Sequence, residues 1–216
     1  MSRNPVLESM LGTLTVGVWA LVCRGPSSAA ESAPQQAAEK TAQTLVVDEL
    51  VVKRLRVVEE DGKDRVVIAG ASRYPKPRLG GKEYPRSIAP AGMLFYRSNG
   101  DECGGIAVVD SPQGTSNMMI LDYANCDAIG LGVSESPGGS YSAGISIRDR
   151  PPLDADPMKA FSMVHQRLVL ENTAGRVDIM LADPQGKPRI TLGVDADGVP
   201  ALRILDEDGK PLFEVP

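Results

Sequence analysis

From Leu45 onward apolar residues recur in steps of five, as LVVDE, LVVKR and LRVVE, with Leu45, Leu50 and Leu55 leading and Val47, Val52 and Val57 two places behind. Strand side chains alternate between faces with a period of two, so one straight strand sends Leu45 and Val47 to one face and Leu50 and Val52 to the other. Two readings follow. Either the chain turns a corner at Asp48-Glu49 and again at Lys53-Arg54, bringing all six residues to one side as in a solenoid or a prism of short faces, or this is a single strand buried on both faces.

Next, RLRVV and RVVIA flank Glu59-Glu60-Asp61-Gly62, two β-branched runs around an acidic turn that ends in glycine, which predicts a hairpin. The pattern returns as Asp183-Pro184-Gln185-Gly186, Asp195-Ala196-Asp197-Gly198 and Asp206-Glu207-Asp208-Gly209, each followed by a proline, Pro188, Pro200 or Pro211. The spacing of these turns allows strands of about five to seven residues in an antiparallel meander, and a proline at each strand start needs no ladder partner there. Two looser hairpins are expected across residues 92–133. There Ile106–Asp110 would pair with Met118–Asp122 around a loop from Ser111 to Asn117, placing Cys103 opposite Cys126. Two long insertions interrupt the strands, Ser72 to Gly92 and Asp149 to Val164.

Composition agrees with this punctuation. The chain of 216 residues holds 22 Gly and 17 Pro and only 4% aromatics, which suits short strands and turns and argues against a helical bundle. The net charge of −5 excludes a generally basic nucleic-acid binder and leaves room for a local basic patch.

The amino-terminal region changes the picture of where the protein works. Leu11 to Cys23 carries no charge, a run intermediate between a signal-peptide core and a membrane-spanning helix. Ser28-Ala29-Ala30 offers a cleavage point, whereas Arg24 lies between the apolar run and that point. Residues 1–24 are therefore read as a signal peptide or a transmembrane anchor, residues 25–44 as a flexible polar linker, and residues 45–216 as a β-rich ectodomain. Val22 is bulky where a lipoprotein signal wants a small residue, so lipidation of Cys23 is not expected. In an oxidising compartment Cys103 and Cys126 are expected to form a disulfide.

Candidate chemistry is sparse. The Asp-x-Asp-Gly turns resemble the opening of a calcium loop, but Pro200 and Pro211 fall inside the stretch where further ligands belong, so ordinary turn chemistry accounts for them. No G-x-S-x-G elbow is present, His165 is the only histidine, and the glycines at 130–132 and 138–139 lack the lysine and strand–helix setting of a phosphate cradle. No enzyme, metal or cofactor is expected. The best recognition candidate is the insertion at 72–92, where Arg73, Lys76, Arg78, Lys82 and Arg86 stand against Glu83, with Tyr74 and Tyr84 interleaved.

The repeated strand, D-x-x-G turn and basic strand, seen in VVEEDGKDRVVIAG and LADPQGKPRITLGVDADGVPALRILDEDGKPL, resembles a broad group of uncharacterised bacterial proteins. Those join a membrane segment to repeated valine-aspartate-x-x-glycine-lysine-x-arginine motifs. The resemblance covers roughly residues 45–70 and 177–216, and it implies an exported or anchored bacterial β-protein without transferring any site.

The sequence thus describes a mainly β protein, an antiparallel hairpin meander arranged as a solenoid or prism or as a barrel or sandwich, behind an N-terminal membrane helix or signal. It is expected to be a non-enzymatic structural or assembly module of the cell envelope, membrane-anchored or periplasmic, that self-associates with a homotrimer as the candidate state. The alternative is a monomeric β-domain that binds an anionic polymer or lipid headgroup through the basic loop. A third reading is an envelope hydrolase working through carboxylates. No nucleic-acid partner is expected.

Overall fold

The computed structural model describes residues 44–86 and 88–216. The leader and almost all of the linker, residues 1–43, lie outside the described residues, as does Cys23. Among the described residues no helix is long and apolar enough to cross a membrane.

The fold is a single antiparallel meander. In chain order the strands are β1 (Arg54–Val58), β2 (Asp64–Ala69), β3 (Arg78–Leu79), β4 (Lys82–Glu83), β5 (Ala91–Tyr96), β6 (Glu102–Ser111), β7 (Gly114–Asp122), β8 (Asp127–Glu135), β9 (Tyr141–Arg148), β10 (Gln166–Thr173), β11 (Arg176–Ala182), β12 (Pro188–Val194), β13 (Pro200–Leu205) and β14 (Pro211–Val215). All but β3 and β4 line up in sequence order in one 12-stranded sheet, and β3 and β4 form a separate small hairpin. The sheet does not close, since β1 pairs with β2 and β14 with β13. Of the architectures the sequence allowed, a closed barrel is not formed: the strands make one open antiparallel sheet.

The expected turns set the strand boundaries. In each D-x-x-G turn the first Asp or Glu closes the hairpin through its own backbone, as in Asp195 N–H to the Val199 carbonyl at 3.0 Å. In the three C-terminal turns the Asp carboxylate also accepts two downstream amides, Asp195 from Asp197 and Val199 at 3.0 and 2.9 Å. The glycine takes a left-handed φ, +83° at Gly198, a backbone conformation that L side chains rarely adopt. Pro188, Pro200 and Pro211 each begin a strand. The same geometry recurs at Arg97-Ser98-Asn99-Gly100, where a looser turn was expected, and at Ser136-Pro137-Gly138-Gly139, where none was.

One predicted register is corrected. Residues 111–117 are not a loop: Ser111 pairs with Gly114 across Pro112-Gln113, and the ladder runs on through Asp110–Thr115 to Ile106–Met119. The alternation of Thr115, Asn117 and Met119 with Ser116, Met118 and Ile120 is a strand pattern in polar dress. Cys103 therefore lies one residue beyond the Gly104–Leu121 pair, level with Asp122, while Cys126 sits in the turn joining β7 to β8.

The pentads bend where the charges predicted. The chain bends at Asp48 and at Lys53, and only the third pentad joins the sheet, as β1. Every apolar residue of the first two pentads is exposed, from Val47 at 49% to Val46 at 89%, so the described residues form there neither an inward-facing prism side nor a strand buried on both faces.

The two insertions fold back onto one face of the sheet. In the first, Tyr74 packs on Val67, Ala69, Leu94 and Tyr96, and Pro77, Leu79 and Pro90 are buried. In the second, Asp156 caps the short helix α1 (Pro157–Ala160) by accepting from the Met158 amide at 3.0 Å, Pro157 fills its first turn, and Ala160 is fully buried.

Candidate functional site

The two faces of the sheet differ in chemistry, and the register shows how. On one face a single row crosses every strand. It reads Leu55, Ile68, Met93, Ile106, Met119 and Leu131 from β1 to β8, then Ile145, Leu170, Ile179, Leu192, Leu202 and Val215 from β9 to β14. No polar residue interrupts it. The neighbouring row runs from Val57, Val66 and Phe95 to Ile190, Ile204 and Phe213, and among its members only Gly104 is not a large apolar residue. A third row adds Val108, Val133, Val177 and Val194 but includes Asn117 and Asn172.

These side chains are uncovered, with Leu131 46% and Ile145 40% exposed in the middle of the sheet. At about 4.8 Å per strand and about 6.7 Å per row, the two fully apolar rows occupy on the order of 700 Å². That exceeds the largest apolar patch of most monomers, about 300–600 Å².

The opposite face is built from smaller and polar groups and is better covered. It carries Gly105, Gly130, Ser146 and Gly193 beside the buried Val67, Leu94, Val169 and Met180. A Cβ on Gly105 would lie 2.4 Å from the Met93 carbonyl oxygen, so glycine there lets adjacent strands approach. Under the insertions this face holds buried charge. Arg86 lies over the Tyr74 ring, 5.0 Å from its centre, and reaches Glu102 at 3.5 Å. Arg148 lies over Phe161 at 4.9 Å and reaches Asp127 at 3.8 Å. Burial, only partly offset by Arg86, pushes the Glu102 carboxyl up to about 7. Asp122 and Asp127 are likewise held above the usual carboxylate range, by burial first and, for Asp122, by the neighbouring negative charge of Asp127.

The basic loop is divided by this packing. Arg73, Lys76 and Lys82 are exposed, whereas Tyr74, Arg78, Tyr84 and Arg86 are half-buried and partly spent on the sheet. The Tyr84 amide donates to the Pro77 carbonyl at 2.9 Å, and the Gly81 amide to Asp101 at 2.8 Å. Seven residues read from sequence as one recognition surface are thus three exposed cations around a structural cap. A cleft of about 500 Å³ opens at the far end of β6 to β9, walled by Ser116, Ser134, Ser142, Met118 and Val109. No lysine or arginine lines it, so it offers no charge to an anion.

Cys103 and Cys126 are free thiols, and the expected bridge is absent because the register sets them on different levels. His165 packs against the turn at Gly186 and pairs with Asp149 at 3.5 Å. Among the described residues no group of three or more His, Cys, Asp or Glu is placed to hold a metal ion. No protein-family model, curated protein or solved structure matches the chain.

Proposed function

We propose that this chain is a non-enzymatic assembly module of the cell envelope, whose subunits bury the apolar face of the sheet against one another, with a homotrimer as the candidate state. The observation that carries the reading is the apolar row from Leu55 to Val215, continuous across all 12 strands and uncovered. Water-exposed apolar area of this size is costly at about 25 cal/mol per Å², and it approaches the roughly 800 Å² per partner of a stable interface. A lipid occupant is disfavoured physically, because both sheet edges carry unpaired N–H and C=O groups that hydrocarbon cannot satisfy. The reading of residues 1–24 as a signal peptide or anchor supports an assembly outside the cytoplasmic membrane, anchored or exported.

The test is the mass of the full chain in mild detergent, by light scattering corrected for bound detergent. The expected result is an oligomer whose mass Leu131→Asp with Ile145→Asp lowers, at unchanged β circular dichroism. A monomeric wild-type chain overturns the reading. Binding of an anionic polymer through the basic loop is the second reading, and it rests on Arg73, Lys76 and Lys82, the cations of that loop that remain exposed.

A further inference from the structure

The apolar face is not the only unpartnered surface. β1 bonds only to β2 and β14 only to β13, so each presents a row of free N–H and C=O groups along its outer edge. Both strands are exposed along their whole length, and no strand or helix among the described residues covers them. Edge strands invite pairing with another chain unless bulges, inward charges or covering elements prevent it; the bulge of β14 falls at Leu212, before the segment 213–215, and the apolar residues Leu55, Val57, Phe213 and Val215 stand 39 to 52% exposed on the two edges.

The two edges are complementary. Because the meander has an even number of strands, 12, β14 of one copy and β1 of an identically oriented copy run antiparallel when set side by side. Leu55 and Val57 begin the two apolar rows, and Val215 and Phe213 end them. One register carries both rows across the junction, setting Val215 beside Leu55 and Phe213 beside Val57. A slip of one residue would turn every apolar side chain to the wrong face, and a slip of two sets Val215 beside Lys53 or Phe213 beside Glu59. In the matching register Glu214 faces Arg56 on the other side of the sheet. Arg56 already pairs with Asp64 at 2.5 Å and Glu214 with Arg203 at 2.5 Å, so the junction links four alternating charges, Asp64, Arg56, Glu214 and Arg203.

We propose that β14 of one subunit pairs edge to edge with β1 of a second copy of this chain, in the register Val215–Leu55, Glu214–Arg56 and Phe213–Val57, so that the sheet continues from subunit to subunit. The contact is head-to-tail, and it closes into a ring at a fixed copy number or grows as a filament. It rests on the reading of the chain as a self-associating module and specifies which strands meet.

The test is disulfide trapping in the full chain with Cys23, Cys103 and Cys126 replaced by Ser. Val57→Cys protein and Phe213→Cys protein are oxidised separately and as an assembled mixture, alongside light scattering. Both replaced side chains are about half exposed, so the substitutions leave the subunit folded, which circular dichroism checks. The expected result is a cross-linked dimer in the mixture and none from either variant alone. A dimer from one variant alone places like edges together and overturns the register. An internal cross-link in the Val57→Cys/Phe213→Cys double variant, with no cross-link between chains, places both edges within one chain and overturns the junction. An oligomer that yields no cross-link overturns the edge pairing and leaves the apolar face as the contact, whereas a monomer overturns both.

Discussion

Arg86 lies over Tyr74, 5.0 Å from the ring centre, and from there its guanidinium meets the buried carboxylate of Glu102 at 3.5 Å. The ring buries the cation's carbons and supplies a favourable quadrupole, and Glu102 supplies the opposing charge. The insertion therefore works as a plug that holds its own arginine in place. Arg148, Phe161 and Asp127 repeat the arrangement under the second insertion.

Removing Arg86 leaves Glu102 buried without its counter-charge. Arg86→Ala is expected to cost about 3–5 kcal/mol at pH 8, as for other broken buried pairs, and clearly less at pH 5, where Glu102 is neutral. Arg73→Ala, on an exposed cation of the same insertion, is expected to stay within about 0.5 kcal/mol. Urea unfolding of both variants at the two pH values decides the matter, and equal losses at pH 8 would show that the insertion is not a plug.

The buried acids also set the pH dependence of the fold. Glu102 titrates near 7 in the folded protein against an ordinary carboxylate value near 4.5. The folded chain holds this proton more tightly than the unfolded chain, so the stabilisation is complete below about pH 4.5 and is lost as pH rises towards 7. Asp122, with neither carboxylate oxygen hydrogen-bonded, shifts in the same direction. The melting temperature should therefore rise between pH 8 and pH 5. Asp122→Asn, which removes a buried charge while keeping the shape, should raise it at pH 8 and flatten the slope. A melting temperature that falls on mild acidification would contradict the burial of these groups.

The turns and strand starts were legible because their chemistry is local. An Asp followed three residues later by Gly fixes a hairpin whatever lies elsewhere, and Pro188, Pro200 and Pro211 mark strand starts by what they lack. The bends at Asp48 and Lys53 were legible as a parity argument. What failed was non-local or disguised. Residues 111–117 are polar, so their alternation did not read as a strand, and the disulfide expectation fell with that register. The packing of Tyr74 and Arg86 against the sheet was not legible either, because composition shows charge and not which way a loop folds. The burial of Glu102, Asp122 and Asp127 has no sequence signal, since acids at strand ends are ordinarily solvated.

Two glycines separate turn strain from strand crowding. At Gly198, φ is +83° and a Cβ would meet nothing within 4 Å, so Gly198→Ala should cost about 1 kcal/mol through the backbone alone. At Gly105 the backbone is ordinary, but the added Cβ would sit 2.4 Å from the Met93 carbonyl oxygen and 3.1 Å from Leu94. Gly105→Ala must therefore part β5 from β6, at an expected cost of about 3 kcal/mol or more, as for overpacked cores. Thermal melts of the two variants, compared at one pH, should rank them in that order. A milder loss at Gly105 would mean that the strands yield there.

The thiols offer a direct check on the register of β6 and β7. Both are free, but their environments differ. Burial pushes the Cys126 thiol up to about 12, with Asp127 adding to it, whereas Cys103 is half-exposed and shifted upward more modestly. The thiolate is the reactive species, so burial leaves Cys126 the slower of the two to react at pH 8. Iodoacetamide applied to the native protein should label Cys103 at least tenfold faster than Cys126, read by mass spectrometry of the digest. Both should label fully after denaturation without reductant. A digest peptide joining residues 103 and 126 would require the ladder to slip by several residues, which would carry Ile106 away from Met119 and break the apolar row at its fourth strand.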